Sequence, residues 1–211
     1  MLDYQKAFIT YSLDCDVLKF GDYLLKSGRT SPYFFNTGLF NTGIKLGKLG
    51  DFYAQALMHS GLKPDILFGP AYKGIPLVSA TSIAYAKLAG CDIPYAFNRK
   101  EIKDHGEGGE VVGYGLKGKV LIVDDVITAG TSVRESVELI LRKDAVPIGV
   151  LVALDRQEKV QSGLSAVQEV EQCFKIPVIP IINLENIIDY IEANAAGQLE
   201  AVVKYRQQYG A

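Results

Sequence analysis

The sequence predicts an α/β fold: a doubly wound parallel sheet flanked by helices, with a small N-terminal hood. Three observations carry this. Short runs at 66–68, 120–123, 148–154 and 178–182 are continuously apolar rather than alternating, which marks strands buried on both faces. Helical periodicity at 75–88, 132–142 and 164–174 falls between them. The 211 residues suffice for one large α/β domain but not for two full enzymes.

In chain order, an amphipathic helix is expected over residues 4–13, with Phe8, Ile9 and Leu13 on its apolar face. Residues 18–39 have hairpin character, broken by Gly21 and by a turn-rich stretch from Lys26 to Pro32. A helix over 42–60 is closed by Gly61. The βα rhythm then runs through a strand at 93–97 to one or two helices after residue 183. Residues 98–119 break it: they are polar, contain six glycines from Gly106 to Gly118, and read as a long loop. A loop of that length inside a compact domain is usually functional. The expected organisation is one domain over 1–211. Its hood takes residues 1–40 with the C-terminal helices, its core 42–183, and its mobile loop 99–113.

The 22 Lys and Arg against 24 Asp and Glu give a net charge of −2, which argues against nucleic acid or an acidic membrane as partner. Cys15, Cys91 and Cys173 are scattered and match neither a disulfide framework nor a zinc site. The start, Met-Leu-Asp-Tyr-Gln-Lys, has no signal-peptide pattern, and the apolar run 176–184 is far short of a membrane span. A soluble, cytoplasmic protein is expected.

In an open α/β sheet, ligands bind beyond the carboxyl ends of the strands. That rule selects Gly69-Pro-Ala-Tyr72-Lys73-Gly74, Asn98-Arg99-Lys100-Glu101, residues 124–132 and Asp155-Arg156-Gln157. Together they bring Lys73, Arg99, Lys100 and Arg156 to one edge, so an anionic ligand is expected. Cations also outnumber carboxylates over residues 99–105.

The most specific segment is Asp124-Asp125-Val126-Ile127-Thr128-Ala129-Gly130-Thr131-Ser132, which follows a buried strand and opens a helix. Backbone N–H groups and hydroxyls in such a turn surround a phosphate, helped by the helix dipole. An acidic pair beside a phosphate makes sense if it holds sugar hydroxyls or a magnesium ion. A capping Thr131 or Ser132 with a solvated Asp pair is the plainer account, but capping does not call for that pair. Gly113-Tyr-Gly-Leu-Lys-Gly118-Lys119 imitates a Walker loop but has Val120 at the Ser/Thr position and precedes a strand, so it is rejected. No G-x-G-x-x-G opens a helix after a strand, which argues against a dinucleotide enzyme.

Residues 124–132 resemble the phosphoribosyl-pyrophosphate (PRPP) motif of type I phosphoribosyltransferases, and the likeness extends to the bacterial orotate phosphoribosyltransferases. Leu24-Leu-Lys26-Ser-Gly-Arg-Thr-Ser-Pro-Tyr-Phe34-Phe35-Asn36 resembles their substrate hood, and Gly69 to Gly74 their pyrophosphate loop. Phe97-Asn-Arg99-Lys100-Glu-Ile-Lys103-Asp-His105 resembles their mobile catalytic loop, and Leu154-Asp-Arg156-Gln-Glu their orotate-side segment. Ala129 stands where many type I enzymes have glycine.

The resemblance implies transfer of ribose 5-phosphate from PRPP to orotate, with Mg²⁺ held mainly by PRPP and water and possible help from Asp124 or Asp125. It implies a PRPP site made of Lys26, Tyr72, Lys73, Arg99, Lys100, Lys103, His105 and residues 124–132. Within it, Asp124 and Asp125 would take the ribose hydroxyls, and Thr128 to Ser132 the 5′-phosphate. Lys26, Phe34, Phe35, Thr128 and Arg156 would meet orotate, the two phenylalanines through their backbone. Lys26, Lys103 and His105 would carry the chemistry. A homodimer is implied, with Lys100, Lys103 and His105 reaching the neighbouring site.

Each residue also has a plainer account: core packing for Phe34 and Phe35, solvated charge for Lys26 and Arg29, an exposed loop for His105. Two competing functions account for less of the sequence. A purine or uracil transferase would keep residues 124–132 but lack the hood and Arg156. A PRPP sensor would not need the Lys/His-rich loop.

Overall fold

The computed structural model describes residues 1–25, 28–103, 109–128, 130–194 and 196–211, with the side chains of 102, 103 and 196 outside that description. Helix α1 (Asp3–Asp14) leads into an antiparallel hairpin, β1 (Leu18–Leu24) and β2 (Thr30–Phe35). A short 3-10 turn, Thr37–Leu39, joins it to α2 (Gly43–Ser60). The Thr42 side chain accepts a hydrogen bond from Lys45 N, and Gly61 closes α2 at φ 72°, a left-handed backbone that glycine adopts without Cβ strain.

The core alternates β3 (Ile66–Gly69), α3 (Gly74–Ala89), β4 (Tyr95–Lys103), β5 (Gly109–Gly113), β6 (Lys119–Val123), α4 (Thr131–Arg142), β7 (Val146–Asp155), α5 (Ala166–Phe174) and β8 (Val178–Asn183). Helices α6 (Leu184–Asn194) and α7 (Leu199–Tyr209) follow. The sheet order is β5-β4-β3-β6-β7-β8, parallel except for the antiparallel edge strand β5.

The continuously apolar runs have a direct cause. In β6, Leu121 and Val123 enter the core shared with α1, α2, α3, α6 and the hood, while Val120 and Ile122 enter a second core beneath α4 and α5. In β7, Leu151 and Ala153 divide from Val150 and Val152 in the same way. Period-2 alternation therefore separates two buried faces, and neither face asks for polar residues.

The structure departs from expectation at 98–119. The strand predicted at 93–97 runs on to Lys103, and β5 returns antiparallel to it, with Asn98 opposite Val111 and Lys103 opposite Gly109. This ribbon sits at the sheet edge, where side chains need not be apolar, so its strands carry no hydrophobic pattern to read. Among the described residues no helix is long and apolar enough to cross a membrane.

Candidate active site

Chain order reverses between β3 and β6: α3 packs on the hood side of the sheet and α4 on the opposite side. The crevice beyond these two strand ends is where such a sheet takes its ligand. Its walls are residues 70–73 after β3 and residues 124–132 after β6.

The β3 wall depends on two glycines. A Cβ on Gly69 would collide with the Gly74 carbonyl, and one on Gly74 would lie 2.6 Å from the Gly69 carbonyl carbon. Only glycine at both ends lets strand and helix meet so closely. The turn between them is held from β4, where Asn98 Oδ1 accepts a hydrogen bond from Ala71 N at 2.8 Å. The Ala71–Tyr72 peptide is cis, and the Tyr72 side chain is exposed. Lys73 reaches across the crevice and donates from Nζ to Asp125 Oδ2 at 2.5 Å.

The β6 wall is an acidic pair inside a dense set of donors. Asp124 and Asp125 are 8% and 7% exposed. Asp125 Oδ2 also accepts from Thr37 Oγ1 at 3.0 Å, and its Oδ1 from Val126 N at 2.8 Å. Asp124 Oδ1 accepts from Asp125 N at 2.9 Å and Oδ2 from Ser132 Oγ at 3.0 Å. Burial, and after it the neighbouring Asp125 carboxylate, push Asp124 up to about 6. Tyr53, wholly buried on α2, donates its hydroxyl to the Asp124 carbonyl at 2.8 Å and fixes the backbone where the turn begins.

Neither Thr131 nor Ser132 caps α4. The N-cap is Gly130, at φ 67°, which has no side chain to cap with, and Ser132 turns its hydroxyl back to Asp124. The first N–H groups of α4 have no intrahelical partner, and Thr128 and Thr131 are exposed beside them. Acidic pair and uncapped helix end thus stand side by side on one strand tip, with Val126 and Ile127 half-buried between. Such an arrangement can hold a phosphorylated sugar by its hydroxyls and its phosphate together.

On β4, Lys100 Nζ lies 3.8 Å from Glu135 Oε2 on α4, and Arg99 Nη1 donates to the Gly109 carbonyl at 3.5 Å. With Ser132 and Pro70 these residues line a cavity of about 300 Å³. On the hood side, Arg156 follows β7 and stacks on Tyr33 of β2, its guanidinium carbon 4.4 Å from the ring centroid. Phe35 packs into the core against Phe8, while Phe34 stacks on Tyr23 at 5.3 Å. Asn36 N donates to Val17 O, so antiparallel alternation places Phe34 in a hydrogen-bonded pair with Lys19. The N–H and C=O of Phe35 consequently point away from β1.

Three expected site residues, Lys26, His105 and Ala129, lie outside the described residues, as does the side chain of Lys103, whose backbone is in β4. Thr37 and Tyr53, which act on Asp125 and Asp124, carried no signal in the sequence. Asn98 stood in one of the selected strand-tip segments, but its hold on the Ala71 turn had no local signal.

A phosphoribosyl transferase domain profile matches residues 41–179. An orotate phosphoribosyltransferase of Methylococcus capsulatus is 60% identical over 211 residues, covering 100% of this chain and 99% of the relative. That of Marinobacter nauticus is 59% identical over the full length of both chains. The crystal structure of orotate phosphoribosyltransferase from Francisella tularensis superposes with a TM-score of 0.89 at 47% identity, covering 97% of this chain and 100% of that one. The chain belongs to the phosphoribosyltransferase family, among its orotate phosphoribosyltransferases.

Proposed function

We propose that this enzyme transfers ribose 5-phosphate from PRPP to N1 of orotate, giving orotidine 5′-monophosphate and pyrophosphate in pyrimidine nucleotide synthesis. The observation that carries the reading is the crevice itself, where an acidic pair and an uncapped helix end on β6 face Lys73 from β3. Full-length likeness to orotate phosphoribosyltransferases supplies the base.

Displacement at the anomeric carbon passes through an oxocarbenium-like state while charge grows on pyrophosphate. The protein's part is to position, to stabilise that charge and to exclude water. Asp124 and Asp125 accept from the ribose hydroxyls, and Thr128, Ala129, Gly130, Thr131 and Ser132 close on the 5′-phosphate. Tyr72 and Lys73 meet the pyrophosphate from one side, with Arg99, Lys100 and Lys103 of β4, and His105, from the other. Each charge-assisted hydrogen bond contributes about 1.5–3 kcal/mol, so a few of them move the barrier by orders of magnitude. Lys26, the open Phe35 amide, Thr128 and Arg156 orient orotate.

Mg²⁺ belongs to this proposal. Among the described residues no group of three or more His, Cys, Asp or Glu is gathered into a cage, and the oxygens of Asp124 and Asp125 already accept protein donors. That donor set fits an ion held chiefly by substrate oxygens and water, with Asp124 or Asp125 nearest. Bound there, it would supply charge neutralisation. A homodimer that shares Lys100, Lys103 and His105 between sites, and a cytoplasmic location in keeping with unbridged Cys15, Cys91 and Cys173, complete the reading.

The test follows the loss of orotate absorbance with PRPP and Mg²⁺ present. Consumption of orotate with equimolar pyrophosphate is expected. PRPP binding without orotate consumption would favour a sensor and overturn the proposal.

A further inference from the structure

Arg156 is held by a carboxylate of its own chain. Its Nε and Nη2 both donate to Glu158 Oε1, at 2.9 and 2.6 Å, and Nη2 also donates to Ser31 Oγ at 3.3 Å. The Tyr33 ring underlies the guanidinium, and the Tyr33 hydroxyl donates to the same Glu158 oxygen at 3.4 Å. Arg29 Nη1 lies 4.0 Å from Glu158 Oε2. The Arg156 and Glu158 side chains are only 17% and 14% exposed, so this pair is mostly withdrawn from water.

The backbone that delivers Glu158 is fixed just as firmly. Asp155 Oδ1 accepts from Gln157 N at 2.8 Å and holds Gln157 at φ 50°, a left-handed backbone uncommon outside glycine. Glu158 is bridged antiparallel to Gly210, Lys159 N donates to the Tyr209 carbonyl at 2.8 Å, and Ala211 N to the Gln157 carbonyl at 2.9 Å. The end of the chain therefore clamps the turn that follows Arg156.

An unpaired, half-buried guanidinium beside a phosphate site would attract any anion and would rotate among several poses. Here the Nε–Nη2 edge is occupied and Glu158, which Arg29 shares, offsets part of the charge, so Arg156 is held in one orientation. We propose that Glu158 is a positioning residue for base recognition: it sets the pose of Arg156 and keeps the base pocket from competing for phosphate. The proposal rests on the reading of Arg156 as a base contact.

Steady-state kinetics on the intact enzyme, varying orotate and PRPP separately, test it. Glu158→Ala should raise KM for orotate about tenfold while KM for PRPP stays within about twofold. Glu158→Gln keeps an acceptor of the same length and should restore part of the loss, to a rise of about threefold. With Arg156→Ala in place, adding Glu158→Ala should change KM for orotate no further, because the two residues act as one unit. Equal rises in both KM values, or an orotate KM that no Glu158 variant moves while Arg156→Ala does, overturn the proposal. Should Glu158→Ala fail to fold, a selective rise in Glu158→Gln remains the deciding result, and its absence is refutation. An unchanged orotate KM in Arg156→Ala would instead refute the reading of Arg156 beneath it.

Discussion

Lys73 Nζ lies 2.5 Å from Asp125 Oδ2, a bond that spans the crevice between the ends of β3 and β6. The partners differ in environment: the Lys73 side chain is 61% exposed and that of Asp125 11%. The ammonium can return to water at little cost, whereas the carboxylate, still held by Thr37 and Val126 N, cannot move. A pair with one wet partner adds less than about 1 kcal/mol to stability. Lys73 is thus placed to leave Asp125 for a phosphate as a sugar hydroxyl takes its place. Lys73→Ala should weaken PRPP and pyrophosphate binding by about 10–100-fold, leave orotate binding unchanged and barely shift the melting temperature. Titration calorimetry with each ligand measures this, and unaltered pyrophosphate affinity would remove Lys73 from the site.

Asp124 supplies a prediction in pH. Burial, then the Asp125 carboxylate, raise it from 3.8 to about 6. The folded protein therefore holds this proton more tightly than the unfolded chain. The associated stability is complete below about 4 and is lost as pH rises through about 6. Asp124→Asn carries no such charge, so its melting temperature should gain on the parent's between pH about 4 and about 7. PRPP affinity should run the other way, since only the ionised carboxylate accepts from both ribose hydroxyls. Phosphate groups also titrate near pH about 6, so the decisive measurement is the difference between parent and variant profiles. Parallel profiles would mean that Asp124 does not titrate in this range.

How much of this was legible varied with the physics of each element. The sheet was legible because Val120 to Val123 is apolar on both faces, and a run of four such residues has few other uses. The β4–β5 ribbon was not, because Asn98 and Lys103 pair with an edge strand that asks for no apolar pattern in their side chains. Of the site, the acidic pair and the Gly130 turn could be read from their order along one strand tip. Thr37 and Tyr53 could not. They reach Asp125 and Asp124 from elements 88 and 71 residues away, and no local pattern records a contact made only by folding. Glu158 stood in the segment that resembles the orotate-side segment, but no local pattern shows that its carboxylate turns back onto Arg156.

Two glycines separate geometric from functional constraint. Gly130 has φ 67°, and a Cβ there would lie 3.3 Å from Val170 Cγ2, a contact that can relax. Gly130→Ala should cost about 1–2 kcal/mol of stability through its left-handed backbone and weaken PRPP binding by crowding the phosphate. At Gly69 the clash is with the Gly74 carbonyl, backbone against backbone, and nothing nearby can yield. Gly69→Ala should therefore be the more destabilising of the two in urea unfolding. The reverse order would show that the β3–α3 turn is softer than its packing implies.

Lys103 ends β4, with its backbone opposite Gly109 across the ribbon. Beyond Phe97, β4 pairs with β5 and no longer with β3, and a cation delivered from such an extension is suited to act after substrate has bound, when negative charge builds on the leaving group. Interactions realised only in the transition state lower kcat on removal and leave ground-state binding alone. Lys103→Ala should accordingly reduce kcat by about 100-fold or more while the PRPP dissociation constant changes less than about threefold. Lys73→Ala, by contrast, should lose PRPP affinity first, so the two variants together distinguish a binding lysine from a transition-state lysine. Turnover and calorimetry on both proteins at one magnesium concentration make the comparison, and a Lys103 variant with parental kcat would place that residue outside the chemistry.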